Sequence, residues 1–436
     1  MTEALAMAAT CDISGVVRGK AFPARDLPQR RKVGVGWVPA NQSITPFDEI
    51  SADDPYGPTG DLRLIPAENA EFRVALPNGR SPLHILLSDT THTDGRAWEN
   101  CPRAFLGRAL KALHDDAGLT VNAAFEQELV LQGVPGVPLA FSVRGLRAAD
   151  DFATTLVAAI REAGIAPDQF LPEYGAGQYE ITQAPAIGLR AADEAVMVRL
   201  LVQEVAASFG LTSTMAPKLN PEGVGNGVHI HFSLLDDQGA PVTGPGVGET
   251  PLSAVAGQFA AGVLAHVDAL CALTASGVPS YLRLVPHHWS AAYGCLGYRN
   301  REAALRICPL LELPGMDTAA QANLEYRAAD ATASPYVALG AVLFAGLDGI
   351  RRQLPMPPMV NEDPDAMSQA RRAEIGLTRL PTSLEAALAA LAADTYMSDC
   401  LPAGMRQAFL AMKRLEIATF ADASPDEICQ RYAAVY

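Results

Sequence analysis

The segment AAFEQELVL, residues 123–131, carries two carboxylates at alternate positions of a predicted strand. Because alternate side chains of a strand share a face, we expect Glu126 and Glu128 to point the same way. Neighbouring like charges on one face repel each other, so a sheet gains no stability from this placement. A solvated strand face explains an isolated pair of this kind, and a cation held by both groups is the functional alternative.

The segment NGVHIHFSL, residues 226–234, separates polar and apolar side chains in the same alternating way. His229, His231 and Ser233 share one predicted face, and the other face is wholly apolar. Such a strand lines a polar site or faces water. Neutral imidazole is a common metal ligand, although two surface histidines explain the segment equally well when it is taken alone.

Three further segments add carboxylates and arginines. Glu173 precedes a Gly-x-Gly turn and Glu180 follows it, so the turn allows the two carboxylates to converge. In NLEYRAAD, Glu325 and Arg327 share a face. A basic series contains Arg283, Arg299, Arg301 and Arg306.

Convergence of these groups would create a strongly charged site. An uncompensated cluster of buried carboxylates costs several kcal/mol per ion, and divalent cations with oxygen ligands remove that cost. Such ligands suit Mg²⁺ or Mn²⁺ better than Zn²⁺. Arginine forks bind carboxylate and phosphate oxygens, so metals and arginines together predict phosphoryl transfer.

The surrounding pattern predicts an α+β protein. Short extended segments separated by turn residues fill residues 1–95, and the loop-like stretch 89–102 is the expected boundary. Amphipathic helices then alternate with short strands. The predicted helices are 103–117, 149–164, 189–209, 252–276, 334–352, 383–393 and 403–418, and the predicted strands lie near 122–132, 176–183, 228–235, 302–307 and 323–328.

Composition limits the possible partners. The chain has 436 residues and a formal net charge of -15, which disfavours nucleic acid and anionic membranes. Seven scattered cysteines without a C-x-x-C pair indicate reduced thiols and a cytoplasmic protein. The longest apolar run, 336–347, is too short to span a bilayer, so we expect a soluble protein with a buried helix there.

These segments, in this order, resemble the glutamine synthetase superfamily from about Asp61 to the C-terminus. The matching motifs are DLRLIP, TDGRAWENCPR, FEQEL, PEYGAGQYE, APKLNPEGVGNGVHIHFSL, SYLRL, NREAALRI and LEYRAADATASPYVALGAVLFAGLDGI. The resemblance implies an N-terminal β-grasp domain, 1–95, and a catalytic domain, 96–436, with a curved antiparallel sheet flanked by helices. It also implies a homo-oligomer of stacked hexameric rings, with an active-site funnel at the subunit boundary.

The resemblance also implies a role for each site residue, with two to three Mg²⁺ or Mn²⁺ ions and ATP as cofactors. The implied ligands are Glu128, Glu173 and Glu180 for one metal and Glu126, His229 and Glu325 for the other. Contacts to ATP are implied for His231, Ser233 and Arg306, and contacts to the substrate amino acid for Gly225, Arg283 and Arg327. The catalytic set is Arg301 and Arg306, which clamp the transferred phosphoryl group, with Arg283 and Trp289.

Trp289 marks a departure from the superfamily pattern. It stands in VPHHWSAA where glutamine synthetases carry the flap glutamate that helps to deprotonate ammonium. The DGSS-type segment that supplies an ammonium-binding aspartate is also absent, Val224 replaces an asparagine, and Asn323 replaces an arginine. An indole offers an apolar or cation-π face instead of compact negative charge.

The sequence therefore predicts a ligase similar to the FluG-like and γ-glutamyl amine ligase branch. It would join glutamate to an organic amine through a γ-glutamyl phosphate. Three alternatives remain. The chain is an ammonia-using glutamine synthetase, it is a catalytically silent relative with a structural or sensing role, or Trp289 merely packs in the flap. His287 and His288 are candidate bases that fit solvent-facing histidines equally well.

Overall fold

The structure is a computed structural model that describes residues 3–134, 139–245 and 251–436. Its first sheet comes from the N-terminal region and has the strand order β2-β1-β5-β4-β3. The two strands at its centre, β1 and β5, run parallel, whereas the other neighbours are antiparallel. Its strands are β1 (Leu5–Cys11), β2 (Val17–Pro23), β3 (Val35–Trp37), β4 (Leu62–Val74) and β5 (Leu83–His92).

Two more sheets carry the predicted site. The six-stranded sheet has the order β10-β6-β12-β15-β14-β13, and the four-stranded sheet has the order β11-β7-β9-β8. All their pairs are antiparallel except β13 with β14. The strands are β6 (Thr120–Phe125), β7 (Gln127–Gln132), β8 (Pro167–Pro172), β9 (Gln178–Gln183), β10 (Ala186–Ile187), β11 (Thr212–Thr214), β12 (Ile230–Leu235), β13 (Tyr293–Tyr298), β14 (Ala303–Ile307) and β15 (Leu324–Tyr326).

Helices surround these sheets, and several are nearly all apolar because they lie inside the core. The helix α10 is buried along most of its length, as the apolar run predicted. The helices are α1 (Leu27–Val33), α2 (Pro102–Ala117), α3 (Val143–Ala148), α4 (Asp150–Glu162), α5 (Leu189–Ser208), α6 (Ala254–Ala265), α7 (Val267–Thr274), α8 (Ser280–Arg283), α9 (Thr318–Gln321), α10 (Pro335–Arg351), α11 (Gln369–Glu374), α12 (Leu384–Ala393), α13 (Thr395–Cys400), α14 (Ala403–Thr419) and α15 (Pro425–Ala433).

The crossing of α6 and α10 brings two backbones into direct contact. A β-carbon at Gly262 would lie 2.6 Å from the backbone nitrogen of Gly349, and one at Gly349 would lie 2.5 Å from that of Gly262. Real side chains do not tolerate such distances, so both positions require glycine. None of the helices in the described ranges is by itself long and apolar enough to cross a membrane; the pair α6–α7 passes only jointly and is bent by 74°.

Three local predictions are wrong. The single strand expected over 122–132 is two strands, because the chain leaves one sheet at Glu126 and enters the other. The helix expected over 252–276 breaks at His266, whose ring is held by Asp348 and Asp394 at 3.0 and 2.6 Å. The region 1–95, expected to consist of short extended segments, also contains the helix α1, which ends at Val33 shortly before β3.

The prediction of a loop over 89–102 is also partly wrong. Its first residues extend β5, because they pair with β4 up to His92. Residue Ala97 then bridges back to Thr91, and α2 begins at Pro102. The division of the chain at about residue 95 stays a prediction.

Candidate active site

The two glutamates of the E-x-E pair lie where the chain passes between sheets. The backbone nitrogen of Glu126 donates to the carbonyl of His229 over 3.0 Å, and that of Glu128 donates to the carbonyl of Gly227 over 3.3 Å. These bonds align the pair with the segment that leads into β12. Both carboxylates are therefore placed beside the histidine strand, although they do not belong to one continuous strand.

Glu126, His229 and Glu325 form a compact group whose ligand atoms lie within 4.8 Å of one another. The Nδ1 atom of His229 is 3.1 Å from Glu126 Oε2 and 3.5 Å from Glu325 Oε1. His231 joins from the next position on the same face, with Nε2 3.0 Å from Glu126 Oε1. The structure thus brings together the three residues expected to hold the second metal.

The charges in this group are strongly coupled. Burial alone would raise the pKa of Glu325, but Arg327, His231 and His229 lower it to about 2. Burial also opposes ionisation of Glu126, and the two histidines nevertheless hold its pKa well below the usual range. Burial and the charge of Arg327 lower the pKa of His229 to about 4. His229 is therefore neutral at pH 7, as metal ligation requires.

Glu128, Glu173 and Glu180 form the other carboxylate set. Glu128 and Glu180 are register partners on β7 and β9, and Glu173 follows β8. Burial, helped by neighbouring carboxylates, raises the pKa of Glu128 to about 7 and that of Glu180 to about 9. Burial also raises the pKa of Glu173. Carboxylates that resist ionisation for want of positive charge are suited to cation binding.

Two observations fit a cation near His229. Its Nδ1 atom faces the carboxylates of Glu126 and Glu325, whereas its buried Nε2 atom has no hydrogen-bond partner among the described residues. A β-carbon at Gly227 would lie 2.8 Å from that nitrogen and 3.1 Å from Nη1 of Arg283, so glycine leaves the space beside the ring open. Carboxylate oxygens and one imidazole are an ordinary ligand set for Mg²⁺ or Mn²⁺.

The expected amino-acid side of the site contains Gly225 and Arg283. Arg283 is fully buried, and its Nη2 donates to the carbonyls of Ala328 and Ala329 at 2.6 and 2.8 Å. Its side chain packs on Gly225, where a β-carbon would lie 2.6 Å away. Gln178 fixes the same loop, because its Nε2 donates to the carbonyl of Gly225 over 2.9 Å.

The other expected arginines lie around the group of Glu126, His229 and Glu325. Arg306 and Arg327 each form an ion pair with one oxygen of Glu325. Arg301 is exposed, and its positive charge partly offsets the raised pKa of Glu173. Its carbonyl accepts a 2.9 Å hydrogen bond from Nε of Arg327. Three of the predicted arginines therefore lie around the two carboxylate sets.

A cavity of about 620 Å³ opens beside this cluster. His231 and Ser233 line it, as expected for a nucleotide site, together with Glu126 and Glu180. The Nδ1 atom of His231 lies 2.9 Å from Oδ1 of Asn323, which also lines the cavity. Its size and its contact with the carboxylates suit a nucleotide whose phosphates reach the metal sites.

Trp289 lies at the other side of the site and is 48 % exposed. Its ring stacks on Tyr174 with centroids 5.0 Å apart and planes 10° from parallel. Sequence reasoning missed Tyr174 and the structural role of Gln178. A tyrosine in a glycine-rich turn gives no signal, because its partner ring is more than a hundred residues away. Gln178 was visible only as a residue that shares a face with Glu180.

The contacts of His287 and His288, the two candidate bases beside Trp289, do not indicate a role as a general base. His287 is exposed, and its Nε2 atom is 2.9 Å from Asp363. The Nδ1 atom of His288 is 3.4 Å from the Nζ atom of Lys218. Both rings are engaged with residues outside the carboxylate cluster.

Comparison with known proteins covers nearly the whole chain. A family model described as the glutamine synthetase N-terminal domain matches residues 3–98, and one described as the glutamine synthetase catalytic domain matches residues 99–432. The chain is 34 % identical over 435 residues to the gamma-glutamylpolyamine synthetase GlnA3 of Streptomyces coelicolor, covering 98 % of this chain and 92 % of that protein.

Two further similarities agree with these matches. The chain is 32 % identical over 425 residues to a glutamine synthetase of Pyrococcus horikoshii, covering 94 % of this chain and 88 % of that protein. A crystal structure described as a novel glutamine synthase homolog superposes with a TM-score of 0.92 at 45 % identity. That superposition covers 100 % of this chain and 99 % of the other.

Proposed function

The chain belongs to the glutamine synthetase family, and we propose that it joins the γ-carboxylate of glutamate to an organic amine at the expense of ATP. The observation that carries this proposal is the meeting of Glu126, His229 and Glu325 beside a nucleotide-sized cavity. The resemblance to a gamma-glutamylpolyamine synthetase supports a γ-glutamyl amide as product.

The two carboxylate sets would each hold a divalent cation. Glu128, Glu173 and Glu180 would bind one Mg²⁺ or Mn²⁺ ion, and Glu126, His229 and Glu325 the other. When bound, these ions neutralise the phosphate charge that develops during transfer. The raised pKa values of Glu128 and Glu180 support this role, because cations would replace protons there.

In the first step, an oxygen of the glutamate γ-carboxylate attacks the γ-phosphorus of ATP. The bond from that phosphorus to the β,γ-bridging oxygen breaks, and ADP leaves with the electron pair. His231 and Ser233 would orient the nucleotide from β12. Arg301 and Arg306 would hold the oxygens of the transferred group, where their fixed positive charge lowers the barrier.

Glutamate itself would bind near Gly225, Arg283 and Arg327. The guanidinium of Arg327 already bonds a carboxylate in the structure, which is that of Glu325. Arg283 is held rigidly by backbone carbonyls, so it needs no reorganisation to contribute positive charge. These positions would keep the α-carboxylate away from the phosphorus and direct the γ-carboxylate toward it.

In the second step, the amine nitrogen attacks the carbonyl carbon of the γ-glutamyl phosphate. The carbon–oxygen bond to the phosphoryl group breaks, phosphate leaves, and the nitrogen gives up a proton to the departing phosphate or to water, which yields the amide. Trp289 stands where the resemblance to glutamine synthetases places the flap glutamate that helps to deprotonate ammonium. An exposed indole supplies no compact negative charge, which supports an organic amine over ammonium.

The proposal is tested by measuring phosphate release with glutamate, ATP, Mg²⁺ and a panel of amines. An organic amine should give a higher kcat/KM than ammonium. If ammonium is preferred, the chain is an ordinary glutamine synthetase. Calorimetry of Mg²⁺-dependent ATP binding addresses the silent-relative alternative, because absence of such binding would remove the enzyme assignment.

We also propose that the catalytic unit is a homo-oligomer of stacked hexameric rings with the active site at the subunit boundary. The near-complete match to an N-terminal and a catalytic glutamine synthetase domain supports this assembly. Light scattering of the purified chain tests it, because a monomer would contradict the proposal.

Seven unpaired cysteines fit our expectation of a reducing, cytoplasmic location.

A further inference from the structure

Three exposed aromatic side chains from separate loops form one continuous wall. Trp289 stacks on Tyr174 at 5.0 Å, and the edge of Phe141 meets Tyr174 with the same centroid separation at an angle of 76°. All three side chains are about half exposed, at 55 % for Phe141, 52 % for Tyr174 and 48 % for Trp289. We call Phe141, Tyr174 and Trp289 together the aromatic wall.

The aromatic wall is fixed directly to the carboxylate cluster. The backbone nitrogen of Phe141 donates to the carbonyl of Pro172 over 2.9 Å, one residue before Glu173. Tyr174 follows Glu173, and its backbone nitrogen donates to that carboxylate over 3.2 Å. On the other side, the carbonyl of Trp289 accepts a 3.0 Å hydrogen bond from Arg327. The aromatic wall is therefore directly adjacent to Glu173, which is one of the candidate metal ligands.

Keeping the aromatic wall exposed costs free energy in the protein without a bound ligand. Phe141 and Trp289 have φ values of +51° and +56°, a region that bulky residues rarely adopt. Clustered exposed aromatics also leave apolar area in water. Strained backbone and exposed apolar surface beside a site indicate a place where a ligand supplies the missing contacts.

We propose that the aromatic wall binds the non-reacting part of the amine and selects a monoamine with a flat apolar group. This inference rests on the proposed ligase function and deepens it. A planar group can extend the Tyr174–Trp289 stack, with the edge of Phe141 beside it. The amine nitrogen would then lie on the side of Glu173 and Arg327, where the acyl phosphate forms.

Charge near the wall disfavours a polyamine. Arg327 donates to the carbonyls of both Trp289 and Arg301, so two cationic residues lie beside the wall. Of the acids beyond Trp289, Asp363 pairs with the ring of His287, and Glu302 accepts a hydrogen bond from the backbone nitrogen of His287. A second ammonium group would therefore meet the positive charge of Arg301 and Arg327, which opposes its cation-π attraction to the rings. This differs from the polyamine named for the Streptomyces relative.

The experiment compares benzylamine, methylamine, spermidine and ammonium as acceptors in ATP-dependent phosphate release by the full chain. Benzylamine should have a kcat/KM about tenfold or more above spermidine and ammonium, since one good aromatic contact is worth about that factor. The variants Tyr174→Leu and Phe141→Leu should raise the KM for benzylamine by about tenfold, with the KM for ATP and glutamate nearly unchanged. Ile187→Ala, an exposed apolar residue on β10, is the matched control.

Three results decide the outcome. If spermidine is preferred, the inference is wrong and the ligase function stands. If no amine supports phosphate release, the proposed ligase function is wrong, and the inference that rests on it is wrong as well. If Tyr174→Leu raises the KM for methylamine as much as that for benzylamine, the wall is structural and the inference is also wrong.

Discussion

The guanidinium of Arg327 donates from Nη2 to the backbone carbonyl of Trp289 across 3.0 Å. Its Nη1 atom pairs with Glu325, and its Nε atom donates to the carbonyl of Arg301. One planar side chain therefore links the candidate metal group to two segments expected to contact substrates. Because the donors of a guanidinium lie in a fixed plane, a shift of Trp289, Glu325 or Arg301 would disturb the contacts to the other two.

Replacement of Arg327 by lysine should separate charge from geometry. Arg327→Lys keeps the positive charge but cannot make all three contacts, so kcat/KM should fall by about 100-fold, the usual cost of one misplaced active-site donor. Initial rates at varied glutamate and amine concentrations provide the test. Arg351→Lys, at an exposed pair with Asp116, is the control. A loss below about threefold in the Arg327 variant would show that charge alone suffices.

Substitution of Trp289 should change which amine is used. Trp289→Glu places a carboxylate where ammonia-using enzymes of the family carry one, so the kcat/KM for ammonium should rise relative to organic amines by about tenfold, or ~1.4 kcal/mol. Trp289→Gln controls for loss of the ring without added charge. The two variants are compared by phosphate release with each amine. An equal change in both would contradict an electrostatic cause.

Magnesium should stabilise the protein more at high pH than at low pH. The pKa values of Glu128 and Glu180 are raised to about 7 and about 9, above the ordinary value of about 4.3. The metal-free folded state thus holds protons that the unfolded state has lost, and its stability falls as pH rises from about 5 to about 9. Bound cations relieve that loss, because they stabilise the ionised carboxylates.

Thermal unfolding at about pH 6 and about pH 8.5, with and without Mg²⁺, measures this effect. The rise in Tm on adding Mg²⁺ should be larger at the higher pH. In Glu180→Gln the group cannot titrate, so the pH dependence of the metal-free Tm should become shallower. A magnesium effect independent of pH in the unmodified chain would contradict the assignment of these carboxylates to a cation site.

A buried ion pair that is not part of the candidate site should dominate stability near α14. The Nζ atom of Lys413 is 2.8 Å from Glu416, and the hydroxyl of Tyr432 donates to the same carboxylate over 2.7 Å. Lys413→Met leaves that carboxylate buried without its cation, so we expect a loss of about 3–5 kcal/mol. Denaturant unfolding tests this value. Lys111→Met, at an exposed pair with Asp115, should cost about 1 kcal/mol or less.

Several chemical groups of the site were predictable because they lie on, or directly beside, short strands with simple alternation. His229 and His231 point to the cluster as the pattern of 226–234 predicted, and Glu325 meets them from β15. Motif order along the chain indicated the family, since several separate segments agreed. The roles of individual residues in binding ATP, glutamate and metal stay predictions.

Other features depend on contacts between distant residues and were not predictable. The change of sheet at Glu126 is decided by hydrogen bonds to Gly227 and His229, a hundred residues away. The break at His266 requires two carboxylates from later helices. The strand β8 was missed because its sequence PDQFLP has a proline at each end and lacks the alternation of a half-buried strand.

The paired glycines at the crossing of α6 and α10 have a practical consequence for engineering. Alanine scanning normally treats alanine as a neutral deletion, but at Gly262 and Gly349 it adds an atom where two main chains already touch. Directed evolution of amine selectivity should therefore keep both codons fixed. Libraries that vary them will lose members to misfolding, and such losses will be mistaken for failed substrate recognition.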